Sequence, residues 1–597
     1  MRREGPCLLA LAAKGRAAAR PSALNGGRHM LGFSGWLADR DGLRAALGQG
    51  EAAGDDADLV AAALIRWGDA ALERLHGQYA LAWWDSAERR LLAACDRTGG
   101  RTLFFHRSAG RLRFAGALGV LLADPGISRQ IDPVALARAG FKIGMFGGRT
   151  CFQDIDQLPA AHKLVMTPSD FRVERYWRLD PTRQVRFRRD NEYVEAARDL
   201  LDRVVADNLR ADGPVTAMLS GGLDSSGVAA TAARLSAPGV IRALTVTPDP
   251  SIARPRAGKG IFQDEWELAS ATAALYSNLH AERVPAHPIS VEDLLRTHMP
   301  LIGRPPVHLM AAAWFESFWR RARALGTRAV LGGRGGNATL SAHALPFVLR
   351  PSALSDLPGA LAGGWARFRL SPGPRAAYSA LRGLTPSWSG PGLRRLAGLP
   401  PAWRERTGLS PEAASMIGAD AIWQELAEGE SEVPFRRRWR FRAIEQTWLV
   451  SGVYSPLHFQ RGADYRDPLG DVRMAEFCLA LPDDQFTRGR ENRRLARRVL
   501  ADRLPAPVLA ETRRGRQHPE WHGWLTQLRP WMAAELDRLD RSPLGRELVD
   551  VPRLKAHLEA WPKDAEAGEP RYAELMDALG GGVGLGVFLR WAEGGNE

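Results

Sequence analysis

Residues 215–235 constrain the chain most: an apolar run over 215–219, then Ser220-Gly221-Gly222-Leu223-Asp224-Ser225-Ser226, then an alanine-rich stretch to Leu235. A strand that passes through a glycine turn straight into a helix opens a parallel-sheet crossover, and it aims backbone N–H groups and the positive end of a helix at one point. Glycines allow close approach of the backbone, and three serines add hydroxyl donors, so the pattern suits a pyrophosphate. Asp224 is the odd member, since a carboxylate repels phosphates unless a cation lies between them. It therefore reads as a magnesium ligand. The plainer reading, a Gly-Gly turn capped by Ser and Asp, does not require the strand in front or the helix behind. The Gly-Lys-Ser ending of the common P-loop is missing.

The surrounding pattern predicts two units. From Met30 to Tyr176 short alternating strands are broken by glycines, with strands expected at 79–85, 90–95, 102–106 and 111–115 and a helix over 56–76. This is the pattern of an antiparallel α+β layer domain, placed at 1–180. From 181 to 597 strands at 241–247, 283–285 and 328–331 alternate with helices at 192–209, 264–279 and 311–324, which predicts a parallel sheet with ligands at the carboxyl ends of its strands. A stretch at 345–440, rich in Pro, Gly, Arg and Trp and weakly periodic, reads as an irregular insertion, with a helical part following to the end.

The charge of +14 and pI of about 10.2 favour anionic ligands, but the excess is almost all arginine in a Gly- and Ala-rich chain, so nucleic acid is not the expected partner. Four dispersed cysteines, Cys7, Cys95, Cys151 and Cys478, offer neither metal-knuckle spacing nor a disulfide framework, and reduced thiols in the cytoplasm are expected. Neither a signal peptide nor a membrane span is expected.

At the 220–226 motif the sequence resembles the ATP-pyrophosphatase domain of the asparagine synthetase and β-lactam synthetase superfamily. The likeness extends upstream, through segments 31–37, 72–85 and Asp96-Arg-Thr-Gly-Gly-Arg-Thr-Leu-Phe-Phe105, to that family's glutaminase-type, Ntn-like layer domain. Downstream it runs through Asp264-Glu265, Leu331-Gly-Gly-Arg-Gly-Gly-Asn337 and Asp464-Tyr-Arg-Asp-Pro-Leu-Gly-Asp471. The resemblance implies an AMP-forming carbon–nitrogen ligase that uses ATP and Mg²⁺. It implies nucleotide contacts at Leu219, Ser220, Gly221, Gly222, Asp224, Ser225, Ser226, Val246, Gly332 and Gly333, and metal at Asp224 and Asn337. Asn337 stands where the family has an Asp. Asp464 matches the catalytic glutamate, with His518 and Glu520 the next candidates for a base. Arg514, in Arg513-Arg514-Gly515-Arg516-Gln517, stands near the family's catalytic lysine and offers fixed positive charge without proton transfer.

Departures sharpen the expectation. An active glutaminase of this family uses an amino-terminal cysteine, whereas here Arg2 follows Met1 and Cys7 reads as an ordinary strand residue; Ser34-Gly35-Trp36 replaces the family's Asn-Gly-Glu. The first domain is therefore expected to be an inactive scaffold. Arg-Arg-Gly-x-Gln at 513–517, the 335–341 run and Arg466-Asp467-Pro468 resemble the lasso-peptide cyclase branch. That branch implies macrolactam formation in a ribosomally made peptide: an Asp or Glu side chain is adenylated and then attacked by the peptide's own α-amine. A leader-cleaved core peptide, a leader protease and a leader-recognition protein are the implied partners. A small-molecule lactam synthetase or ammonia-using asparagine synthetase is the alternative, and a non-catalytic binding protein a third reading.

Overall fold

The computed structural model describes residues 2–4, 7–10, 22–49, 54–140, 148–252, 254, 256, 260–286, 290–306, 309–342, 390–428, 435–488 and 491–594. Its amino-terminal unit is built on a six-stranded antiparallel sheet, in the order Phe171–Arg175, His162–Met166, Arg90–Cys95, His76–Asp85, His29–Ala38 and Ser22–Leu24. The two ten-residue strands pair in full register, from His29 opposite Asp85 to Ala38 opposite His76. The helix Asp56–Trp67 lies on one face, started by a capping box in which Asp55 and Asp58 each accept the other's backbone N–H. It buries Leu59, Val60, Ala63 and Leu64 against Phe33, Leu81 and Trp83. A small sheet of Arg111–Ala115, Phe104–Ser108 and Asp156–Gln157 covers the other face. The helix expected over 56–76 stops at Trp67 because Gly68 adopts a positive φ, and the strand begins at His76.

The second unit holds a five-stranded parallel sheet in the order Leu279–Pro285, Ile241–Thr247, Val215–Met218, Ala329–Leu331 and Asp464–Arg466. Helices Asp190–Leu209 and Leu223–Ser236 pack on one face and Leu309–Ala324 on the other. The helix expected over 264–279 is only Trp266–Ala273, since Leu279 already pairs with Ile241. The strand at 464–466 was not anticipated: it is three residues long and carries two charges, so only its pairing with 329–331 makes it a strand.

The expected insertion is corrected in part. Residues 343–389 lie outside the described residues, but 390–428 form four short helices, Gly390–Leu396, Ala402–Arg406, Pro411–Met416 and Ala419–Glu428. Trp403, Leu409, Ala413 and Ile417 share one core with Leu548, Val549 and Leu554 of the carboxyl-terminal helices. Such short segments have little intrinsic helicity and gain it from packing, which explains their weak periodicity. The last helix, Gly580–Ala592, is glycine-rich because neighbours come too close for a side chain: a Cβ on Gly582 would lie 2.3 Å from Leu554. Among the described residues no single helix is long and apolar enough to cross a membrane, and the one bent pair of suitable composition ends in this buried helix.

The two units meet through charged and stacked contacts. The Arg101 guanidinium donates to Asp464 (2.5 Å), Arg466 lies over the Trp36 ring (4.3 Å) and Ser455 Oγ donates to the Gly100 carbonyl (2.6 Å).

Candidate active site

The 220–226 turn sits at the carboxyl end of the central strand and is braced by its own hydroxyls. Ser220 Oγ and Ser225 Oγ are 2.5 Å apart, Ser225 Oγ accepts from Ser220 N, and Ser220 Oγ accepts from Gly222 N (3.1 Å each). Gly222 precedes the helix Leu223–Ser236 and no side chain caps it, which leaves first-turn N–H groups for a ligand. Ser226 corrects the expectation of a phosphate donor: it is buried and its Oγ donates to the Ser220 carbonyl (2.8 Å). Because Ser220 is one donor among several, Ser220→Ala should weaken the expected ATP binding by about 0.5–1.5 kcal/mol if the lost hydrogen bond is neutral and up to about 3 kcal/mol if it reaches a charged phosphate, measured by calorimetric titration with ATP and Mg²⁺.

Asp224 carries the clearest sign of a ligand. Its Oδ2 accepts from Ser341 Oγ (2.9 Å), while its buried Oδ1 has no hydrogen-bond partner. Burial pushes the carboxyl up to about 6. An orphaned buried carboxylate oxygen is costly, and a divalent cation is the group that satisfies it, so the residues fit Mg²⁺. The surrounding glycines are required by this approach: a Cβ on Gly336 would fall 2.2 Å from the Asp224 carboxyl, and one on Gly333 2.7 Å from the Asp224–Ser225 peptide. The second expected ligand fares less well. Asn337 faces the cavity, but its Oδ1 accepts from Arg493 (3.5 Å), so a fixed cation stands where another ligand oxygen was expected.

The loop forms one end of a cavity of about 860 Å³. Leu219, Ser220, Gly221, Gly222, Asp224 and Ser225 line it, as do Val246 and Gly333. Gly332 does not: its N–H donates to the Arg466 carbonyl (2.8 Å) and its α-carbon backs onto the Tyr465 hydroxyl, so the nucleotide contact expected of it is corrected to a sheet contact. Arg514 lines the cavity, held there because Arg514–Gly515 pairs with Ile261–Phe262. That pairing lays Gly515 against the partly buried Glu265 carboxyl, which desolvation and Asp264 push up to about 7. Arg513 is taken by Glu511 (2.7 Å).

The sequence profile named Asparagine synthase matches residues 196–580, well over half of the chain, and the one named Glutamine amidotransferase domain matches 5–177. The chain belongs to the asparagine synthase family. That family is one of ATP-dependent carbon–nitrogen ligases. Among curated relatives, asparagine synthetase [glutamine-hydrolyzing] 3 of Bacillus subtilis is 30% identical over 179 residues, covering 30% of this chain and 29% of the relative. Amidase chyE of Penicillium rubens is 30% identical over 183 residues, covering 30% and 27%, and a putative asparagine synthetase of Mycobacterium bovis 30% over 221 residues, covering 35% and 33%. The alignments thus span about a third or less of each relative's length.

Within this asparagine synthase fold, Asp464 does not stand where a catalytic base must. It occupies the amino end of its strand, opposite to the ligand end, and is buried in ion pairs with Arg101 (2.5 Å) and Arg466 (3.5 Å), outside the cavity lining. A carboxylate so paired holds no free oxygen towards a substrate amine, and the assignment of Asp464 as base is corrected to a structural anion. The fallback candidates are likewise structural: His518 packs edge-on against Trp314 and Glu520 Oε1 accepts from Asp249 N (3.0 Å). Sequence reasoning missed that Trp319, Tyr465, Arg334, Arg461 and His298 also line the cavity, and that Gln78, Gly100 and Arg101 of the first unit line it too. Tyr465 faces the cavity because alternation on the 464–466 strand turns it away from Asp464, and that strand is made only by its pairing with 329–331. Nothing in the sequence distinguishes Arg461 from the chain's many other arginines.

Proposed function

We propose that this asparagine synthase family member activates a peptide side-chain carboxylate with ATP and joins it to the same peptide's α-amine, forming a macrolactam. The observation that carries the reading is a single cavity that joins the Asp224 loop to a deep aromatic wall, large enough for a nucleotide and part of a peptide. The carboxylate oxygen attacks the α-phosphorus and pyrophosphate leaves; the amine nitrogen then attacks the acyl carbon, AMP departs with the electron pair, and the nitrogen loses a proton. Mg²⁺, held at Asp224, would neutralise phosphate charge. The 220–225 loop donates to the phosphates, and Arg514 supplies positive charge to the departing AMP. Threading the peptide raises the effective concentration of its amine, so ammonia is not needed.

Glu265 lines the cavity beside the Arg514–Gly515 segment, and with burial and Asp264 pushing its carboxyl up to about 7 it is the carboxylate suited to take the amine proton. Glu511 is held down to about 2 by Arg513, and burial beside Arg461 pushes His298 down to about 3, too weak a base.

The first unit serves as a scaffold in this reading. Cys7 is half-buried in a short strand, and burial pushes its thiol up to about 11, the opposite of an activated nucleophile. Trp36 Nε1 donates to Gln78 (3.3 Å) and its ring lies under Arg466, occupied in the interface. We expect Cys7→Ser to leave AMP formation unchanged and the wild type to release no glutamate from glutamine; glutaminase activity lost in the variant would reverse this.

The test is incubation of purified protein with ATP, Mg²⁺ and a leader-cleaved core peptide. The proposal expects loss of one water from the peptide mass, matched one-for-one by AMP. AMP formed instead with aspartate and ammonia, or with a small amino-acid derivative, would establish the alternative ligase reading. A leader protease and a leader-recognition protein are the proposed partners, checked by co-purification.

A further inference from the structure

The cavity that holds the Asp224 loop also holds a partly buried guanidinium that, among the described residues, touches no carboxylate. Arg461 faces the cavity, with its guanidinium 4.3 Å from the centre of the Trp319 ring. Its Nε is buried and has no hydrogen-bond partner, and it makes no ion pair with any described carboxylate. The anions that act on the two cations are engaged elsewhere: Glu316, near Arg461, binds Arg323 (2.6 Å), and Asp467, near Arg334, accepts from Gly335 N (2.7 Å). Burial, with Arg334 and Arg323 near, pushes Arg461 down to about 9, which still leaves it charged at neutral pH. Arg334 opens the turn whose Gly336 abuts Asp224, and its guanidinium is 5.2 Å from the Tyr465 ring, so the cavity carries two cations that no described carboxylate neutralises by contact. A buried charge without a partner is strongly unfavourable, and a fork of planar donors backed by an indole matches a carboxylate.

We propose that Arg461, assisted by Arg334, forms a carboxylate-binding subsite in the same cavity as the phosphate loop. The ligand class is an Asp or Glu side chain or a peptide carboxyl terminus. This deepens the ligase reading, since it names the group by which the acyl substrate is held, but the subsite's binding is measurable without turnover.

The probes are N-acetyl-glutamate N-methylamide and its glutamine counterpart, titrated into full-length protein carrying 5-fluorotryptophan, with the Trp319 fluorine resonance assigned by Trp319→Phe. The glutamate probe should shift that resonance saturably through the millimolar range and the glutamine probe should not. In Arg461→Met the affinity should fall by about tenfold or more, with stabilisation by ATP and Mg²⁺ in thermal melting retained as the check on folding. Arg461→Lys should recover only part of it, because an ammonium lacks the planar fork. Equal shifts with both probes, no shift with either, or an unchanged response in a folded Arg461→Met would overturn the subsite. If the glutamate shift behaves as expected while no peptide yields AMP, the subsite stands and the ligase reading fails.

Discussion

Asp224→Asn should cut ATP-dependent AMP release on the order of a hundredfold to a thousandfold while leaving the fold intact. The amide keeps the shape and the Ser341 hydrogen bond at Oδ2, but it removes the charge that the buried, unpartnered Oδ1 presents to the cavity. Folding should not suffer, because burial penalises the wild-type carboxylate and a neutral amide relieves that cost. The measurement is pyrophosphate exchange and AMP formation across a range of Mg²⁺ concentrations, beside a thermal melt. Wild-type AMP formation by the variant would remove Asp224 from the site. Gly336→Ala is a companion, since its Cβ would fall 2.2 Å from the same carboxyl.

Asp464→Asn should behave as a structural lesion. It leaves Arg101 and Arg466 facing each other at the junction of the two units without their shared carboxylate, and breaking a buried pair of this kind costs about 3–5 kcal/mol. Adenylation and amide formation should therefore fall together, in proportion to the folded fraction. A base would show the opposite pattern, normal pyrophosphate exchange with stalled amide formation, and that result would restore a catalytic role. Denaturant unfolding separates the two. Asp464→Leu combined with Arg101→Met should recover only part of the loss, because it removes one of the two uncompensated charges and leaves Arg466 on the Asn208 and Arg210 carbonyls.

Much of the fold could be read from local pattern. The strand at 241–247 and those at 90–95 and 111–115 were legible to the residue because alternation or continuous apolar runs are bounded there by clear turns. Helix ends were read less well, as at Trp67 and Ala273, since a helix stops where a glycine turns or the sheet claims the next residue. The helices within 390–428 were illegible because their stability comes from partners more than a hundred residues away, such as Leu548 and Leu554.

By itself the sequence determined the local geometry of one stretch of chain: a strand, a glycine-rich turn and a helix, with Asp224 at the point where the proposed phosphates and cation would meet. Such a motif is legible because its geometry depends on residues a few positions apart. Only the tertiary structure decided what each remaining polar group faces. Asp464 and Tyr465 are adjacent in sequence, yet alternation on a three-residue strand sends one into an interdomain ion pair and the other into the cavity. Likewise Ser226 turns back onto Ser220, and Arg461 becomes a candidate binding group only because Glu316 near it is already engaged by Arg323. A side chain's role in a buried site depends on which counter-charges remain free, and that is fixed by contacts between residues hundreds of positions apart.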